Sequence, residues 1–116
     1  MRLIDDVKLD FKDVLIVPKR SEMNSRSEVD LVRNYSFRYS KHPYAGIPIL
    51  ATNMSTIGTI KMAKVLTEYK VGTLLHKFIP TVELFNHFCS ESAEYSWYSM
   101  GITEPDQVKW RNFLRM

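Results

Sequence analysis

Among the residues of this sequence that could do chemistry, the best placed is a lysine directly following a short apolar run. Lys77 closes VGTLLHK, residues 71–77. If that run is a parallel strand, the ammonium stands just past its C-terminal end, where it can meet oxygens of a cofactor or substrate. By position alone Lys77 is equally well a solvated surface lysine. His76 beside it reads first as a polar strand-end residue, with a direct catalytic role as the lesser alternative. Cys89 is the only cysteine. It rules out an internal disulfide framework and any CxxC metal or redox site. It falls on an apolar helical face, so it is expected in the core rather than as a nucleophile. Asp5 and Asp6 are adjacent carboxylates on an N-terminal stretch; their side chains point apart, and they read as solvated charges. No metal site is read from these residues.

The elements that must hold Lys77 follow from hydrophobic periodicity. From Ile47 onward a short apolar run, a polar loop and an amphipathic stretch recur without a Ser- or Gly-rich linker, the rhythm of βα units on a parallel sheet. IPIL, residues 47–50, is continuously apolar, as a strand covered on both faces should be. Met62, Val65, Leu66 and Tyr69 fall at helical spacing opposite Lys61, Lys64 and Glu68, which predicts a helix over 58–70. A second helix is expected from Pro80 to about Ser92, with Phe85, Phe88 and Cys89 on its apolar face. A third strand is read over Tyr95 to Met100. Thr103, Pro105 and Asp106 then form a helix-start signal, and that helix is expected to run to Met116. Residues 1–46 differ: the run VLIV and the alternating aromatics Tyr35, Phe37 and Tyr39 read as an N-terminal β extension. Residues 47–116 are the βα units. Three units do not close a barrel, since a complete one takes roughly 250 residues, and the chain alone is expected to be too short for catalysis.

Composition narrows the classes further. The 116 residues carry 45% hydrophobic and 25% charged side chains, enough apolar material for one globular domain. Sixteen Lys and Arg stand against thirteen Asp and Glu, interleaved in the first half rather than gathered into a basic stripe, so nucleic acid is not an expected partner. No apolar stretch reaches the roughly 20 residues needed to span a bilayer, and MRLIDDVKLD has acids where a signal peptide needs an apolar core. No membrane partner is expected, and the reading is cytoplasmic.

Four ordered strings then carry a family resemblance: FKDVLIVPKRS (11–21), SRSEVDL (25–31), GIPILATNMSTIGT (46–59) and LLHK (74–77). They resemble the opening of the IMP dehydrogenase and GMP reductase superfamily. SRSEVDL followed by alternating aromatics and GIPI looks like the GMP reductase branch. The stretch after Lys77 passes straight into a helix, where IMP dehydrogenases usually insert CBS modules. The resemblance is to the N-terminal third of a GMP reductase. It implies an α/β fold, a partial TIM (β/α)8 barrel of about the first three βα units preceded by the N-terminal β extension, as one portion of a single domain over 1–116.

The resemblance also implies roles. The family is similar in using a lysine at position 77 for chemistry and for contact with the nicotinamide cofactor. Ser25 and Arg26 match a pair that reaches from a neighbouring subunit to the cofactor, where a guanidinium can fork onto phosphate oxygens; without the resemblance Arg26 is a loop charge. Asn53 and Met54 match the loop lining the purine pocket, and a thioether packs well on a flat base, with core packing of Met54 as the competing role. Ser55 stands where close relatives carry an acid. Ser99 and Gly101 end the third strand near the cofactor region and stay outside the expected site. The implied reaction is NADPH-dependent reductive deamination of GMP to IMP in purine salvage. In it, a cysteine on a later loop adds to C2 of the purine as ammonia leaves, and hydride follows. That loop, the phosphate-binding Gly-rich loops and the potassium site belong to a portion outside these residues. The implied assembly is a homotetramer. Two other readings stay open: an IMP dehydrogenase lacking CBS modules, or a non-catalytic truncated or split-gene chain that docks on a complementary barrel piece.

Overall fold

The computed structural model describes residues 5–40 and 42–116. The chain divides into two compact units, Met1–Asp30 and Leu31–Met116. In the first, two single 3-10 turns form at Phe11–Asp13 and Arg26–Glu28, each opened by a side-chain cap from Asp10 or Ser25. The expected β extension is therefore much shorter than read. VLIV is not a strand, and Leu15 and Ile16 are exposed. The only extended pairing before residue 44 among the described residues is strand β1, Arg33–Tyr35. Alternating hydrophobicity needs a partner strand to become sheet, and only Arg33 to Tyr35 find one.

The second unit is a four-stranded sheet ordered β1-β2-β3-β4, with β2 at Tyr44–Ala51, β3 at Val71–Leu75 and β4 at Ser96–Tyr98. β1 pairs antiparallel with β2, while β2, β3 and β4 are mutually parallel. Helices α1 (Ile60–Glu68), α2 (Thr81–Phe88) and α3 (Glu104–Phe113) follow the three parallel strands in turn. The βα rhythm read from the sequence is thus present as three consecutive strand–helix units. β2 begins three residues before the expected Ile47. Its pairing with β3 skips between Ile47 and Leu50, where Pro48 has no N–H to donate to the ladder.

The core lies between sheet and helices. Leu75 and Leu84 are fully buried, joined by Ala63 and Ile79, with Ile60, Phe88, Tyr98 and Phe113 packed around them. Each helix was legible, but its buried face was not always. On α1, of the expected stripe Met62, Val65, Leu66 and Tyr69, Leu66 is half-buried and the other three are exposed, at 37%, 50% and 64%. Ala63 faces inward instead, because a methyl lets the helix approach the sheet more closely than a long side chain would. On α2 the buried residues are Leu84 and His87. The helix stops at Phe88 rather than near Ser92, so Cys89 becomes its C-cap and is exposed, not core. α3 starts as read, with Thr103 and Asp106 forming a reciprocal capping box, but ends at Phe113.

Gly58 fixes the loop after β2. Its carbonyl accepts from the His76 N–H at 3.0 Å, and a Cβ at this position would collide with the carbonyls of Leu74 and Thr52. The loop runs that close to the end of β3, and backbone atoms cannot swing away as a side-chain tip can. Gly58→Ala is expected to destabilise the second unit by about 1–3 kcal/mol through overpacking, measured as a lower urea midpoint at unchanged m.

Candidate functional site at the C-terminal ends of the parallel strands

Because β2, β3 and β4 are parallel, the loops that leave Ala51, Leu75 and Tyr98 emerge from one edge of the sheet. Asn53 and Met54 sit in the first loop, Lys77 in the second and Ser99 in the third. Asn53 Nδ2 donates to Ser99 Oγ at 2.8 Å, tying the first loop to the third. Ser99 N–H in turn donates to the Leu75 carbonyl at 2.8 Å, extending the parallel ladder one residue past β4. Ser99, left out of the expected site, is the hydroxyl that Asn53 meets. Met54 is 58% exposed, which removes core packing as its role.

Lys77 is held from α3. Its Nζ lies 3.4 Å from Asp106 Oδ2, with the lysine side chain 39% and the aspartate 15% exposed. It also stands 5.4 Å from the centroid of the Phe78 ring. Asp106 accepts from Thr103 Oγ1 at 2.6 Å and from Thr103 N–H at 3.3 Å. The Thr103 hydroxyl bond, reinforced by the Lys77 ammonium, holds its carboxyl below the ordinary aspartate value. Gly101 makes room for this carboxylate, since a Cβ there would collide with it. The sequence marked Asp106 only as a helix cap. Its second role as the partner of Lys77 needs a contact across 29 residues, which local spacing does not reveal.

His76 makes a contact within its own turn. Its Nδ1 accepts from the Phe78 N–H at 3.2 Å, which shapes the turn that follows β3. Ser25 and Arg26 belong to the first unit, where Ser25 Oγ caps the short turn by accepting from Ser27 N–H at 3.2 Å, and Arg26 is exposed. The structure brings Asn53, Met54, Lys77 and Ser99 to one sheet edge within the second unit; Ser25 and Arg26 stand in the other unit. The edge offers an ammonium, an amide, a hydroxyl and an exposed thioether. That combination suits an anionic ligand with a flat ring: cationic and amide donors for oxygens, and sulfur for the ring face. Among the described residues no group of three or more His, Cys, Asp or Glu gathers where it could hold a metal. No described helix is long and apolar enough to cross a membrane.

No family model matches the chain. Individual proteins do. Human GMP reductase 2 is 58% identical over 79 residues, 68% of this chain and 23% of that protein. Its bovine counterpart is 53% identical over 90 residues, 78% of this chain and 26% of that protein. The GMP reductase of Edwardsiella ictaluri (strain 93-146) aligns with the whole chain at 43% identity. The chain is a relative of the GMP reductases. It spans about a quarter to a third of the length of the GMP reductases it matches, consistent with an N-terminal fragment. The Edwardsiella alignment runs through both units, covering 100% of this chain, so the kinship to GMP reductases includes the loops that carry Asn53, Lys77 and Ser99.

Proposed function

We propose that this chain is the N-terminal portion of a GMP reductase, a partial (β/α)8 barrel whose strand-end loops form part of the mouth where GMP is reductively deaminated to IMP. The observation that carries the proposal is the convergence of three loops on one sheet edge, with Lys77 fixed there by Asp106 and Asn53 fixed by Ser99. NADPH supplies the hydride when bound. The residues present fit such a group: Lys77 places a cation for cofactor or substrate oxygens and joins the hydrogen-bond network that serves the chemistry. Asn53 and Met54 would hold the purine, the amide by hydrogen bonding and the thioether by packing on its face. Ser25 and Arg26 would meet cofactor phosphates from a neighbouring subunit of a homotetramer. Ser55, adjoining Met54, leaves that rim without the carboxylate of close relatives. The working compartment is the cytoplasm.

These residues do not include the loop with the nucleophilic cysteine, and Cys89 at the C-cap of α2 does not replace it. The 116 residues alone are therefore inert in this proposal. Among the described residues β4 pairs only with β3, and a complementary barrel piece would pair with its other side. Purified chain with GMP and NADPH should leave absorbance at 340 nm unchanged. Added to the Edwardsiella ictaluri enzyme lacking the segment this chain matches, it should restore the absorbance decrease. Lys77→Met should reduce the restored rate at least about a hundredfold, the low end for a lost proton-transfer group. Turnover by the chain alone, or full restoration by Lys77→Met, would contradict the proposal.

A further inference from the structure

Three contacts converge on the main chain and side chain of Lys77, and two come from neighbouring turns of α3. Asp106 takes the Lys77 ammonium at 3.4 Å. Lys109, three residues on along the same helix face, directs its own ammonium at the carbonyls of Lys77 and Ile79. Tyr98 at the end of β4 donates its hydroxyl to the same Lys77 carbonyl at 3.3 Å, and its ring lies 5.4 Å beneath the Lys109 ammonium. A lysine ammonium ordinarily keeps its head in water. Here a half-buried one spends its donors on a turn, and a charged donor to a carbonyl is stronger than a neutral one.

We infer that Lys109 is a positioning residue for Lys77: by tethering the carbonyls of Lys77 and Ile79 to α3, it fixes the turn from which Lys77 presents its ammonium at the strand-end mouth. The inference rests on the proposed role of that mouth for its functional meaning. The geometry itself is tested apart from it. Without Lys109 the turn keeps only the Tyr98 hydroxyl as a side-chain anchor on that carbonyl, and the Lys77 ammonium loses the fixed origin that brings it to Asp106.

The test is amine acetylation of the 116-residue chain near neutral pH, with the rate at each lysine read by mass spectrometry against the exposed Lys61 and Lys64. Lys77 should react more slowly than those references in the native sequence. In Lys109→Met its rate should rise at least about threefold. In Lys109→Arg, which keeps a cationic donor, it should return toward the native rate. An unchanged Lys77 rate in Lys109→Met, or an equal rise in Lys109→Arg, overturns the inference. If Lys109→Met loses its far-UV circular dichroism, the acetylation rate of Lys109 itself in the native sequence decides, because an ammonium held on the Lys77 and Ile79 carbonyls is withdrawn from the reagent. A Lys109 rate below those of Lys61 and Lys64 supports the tether, and a rate equal to theirs refutes it. No GMP or NADPH enters this experiment. A failed tether shows as unaltered acetylation, whereas a failed functional reading shows as undiminished complementation by Lys77→Met.

Discussion

Leu84→Ala should cost the second unit about 3 kcal/mol, within the range of about 2–5 kcal/mol found when a fully buried leucine is cut back to alanine. Leu84 is completely buried, and its cluster holds only Ala63, Leu75 and Ile79 as buried partners. A small core collapses poorly around a cavity, because each wall residue is already committed to the sheet or to a helix. Domains of this size hold roughly 5–15 kcal/mol in all, so one such cavity removes a large fraction. Urea unfolding followed by circular dichroism gives the number. Val82→Ala serves as the control, since Val82 on the same helix is 58% exposed and surface substitutions usually stay within about 0.5 kcal/mol. A loss below about 1 kcal/mol for Leu84→Ala would mean that α2 does not pack as described.

The contrast between Leu84 and Cys89 shows how much of the fold the sequence disclosed. Periodicity reports that a helix exists and has an apolar side, and all three helices are found where the pattern places them. It extrapolates beyond the helix end, however, and places Cys89 on a face that has already stopped at Phe88. Periodicity also weighs large apolar residues most heavily. On α1 it selects Met62, Val65, Leu66 and Tyr69, of which Leu66 is half-buried, whereas close approach to a sheet favours the small Ala63. In the N-terminal region the alternation of Tyr35, Phe37 and Tyr39 implied a longer strand than the partner at Tyr44–Gly46 supports.

The candidate site divides in the same way. Asn53, Met54 and Lys77 could be placed because strand ends are local features and parallel strands send their loops to one edge. Ser99, Asp106 and Lys109 could not be assigned as their partners. Those contacts cross 46, 29 and 32 residues, and nothing in the spacing of one segment encodes its distance to another. Gly101 is intermediate. Its place at the end of the third strand is legible, but the carboxylate that needs its missing Cβ is not.

Acidification from pH 7.5 to 5.5 should destabilise this chain through His87, and His87→Gln should remove most of that dependence. His87 is 3% exposed. Its Nε2 lies 2.9 Å from Ser96 Oγ, and its Nδ1 has no hydrogen-bond partner among the described residues. Burial, with a smaller contribution from the Lys64 charge, lowers its pKa below the ordinary histidine value. In the unfolded chain the imidazole returns to about 6.5. Between the two values the unfolded state binds the proton more readily, so stability falls as pH drops through that window. The stabilisation is complete above about 6.5 and is lost toward the folded-state value. Asp106, held low by Thr103 and Lys77, loses its contribution only at more acid pH, which leaves the 5.5–7.5 interval to report on the imidazole. Gln retains an amide for Ser96 without a titrating group. Urea midpoints at the two pH values should converge in His87→Gln and separate in the native sequence; an equal separation in both would place the acid-sensitive group elsewhere. Because Ser96 opens β4, whose Tyr98 meets the Lys77 carbonyl and whose following residue Ser99 meets Asn53, charging His87 should also weaken these contacts at the rim.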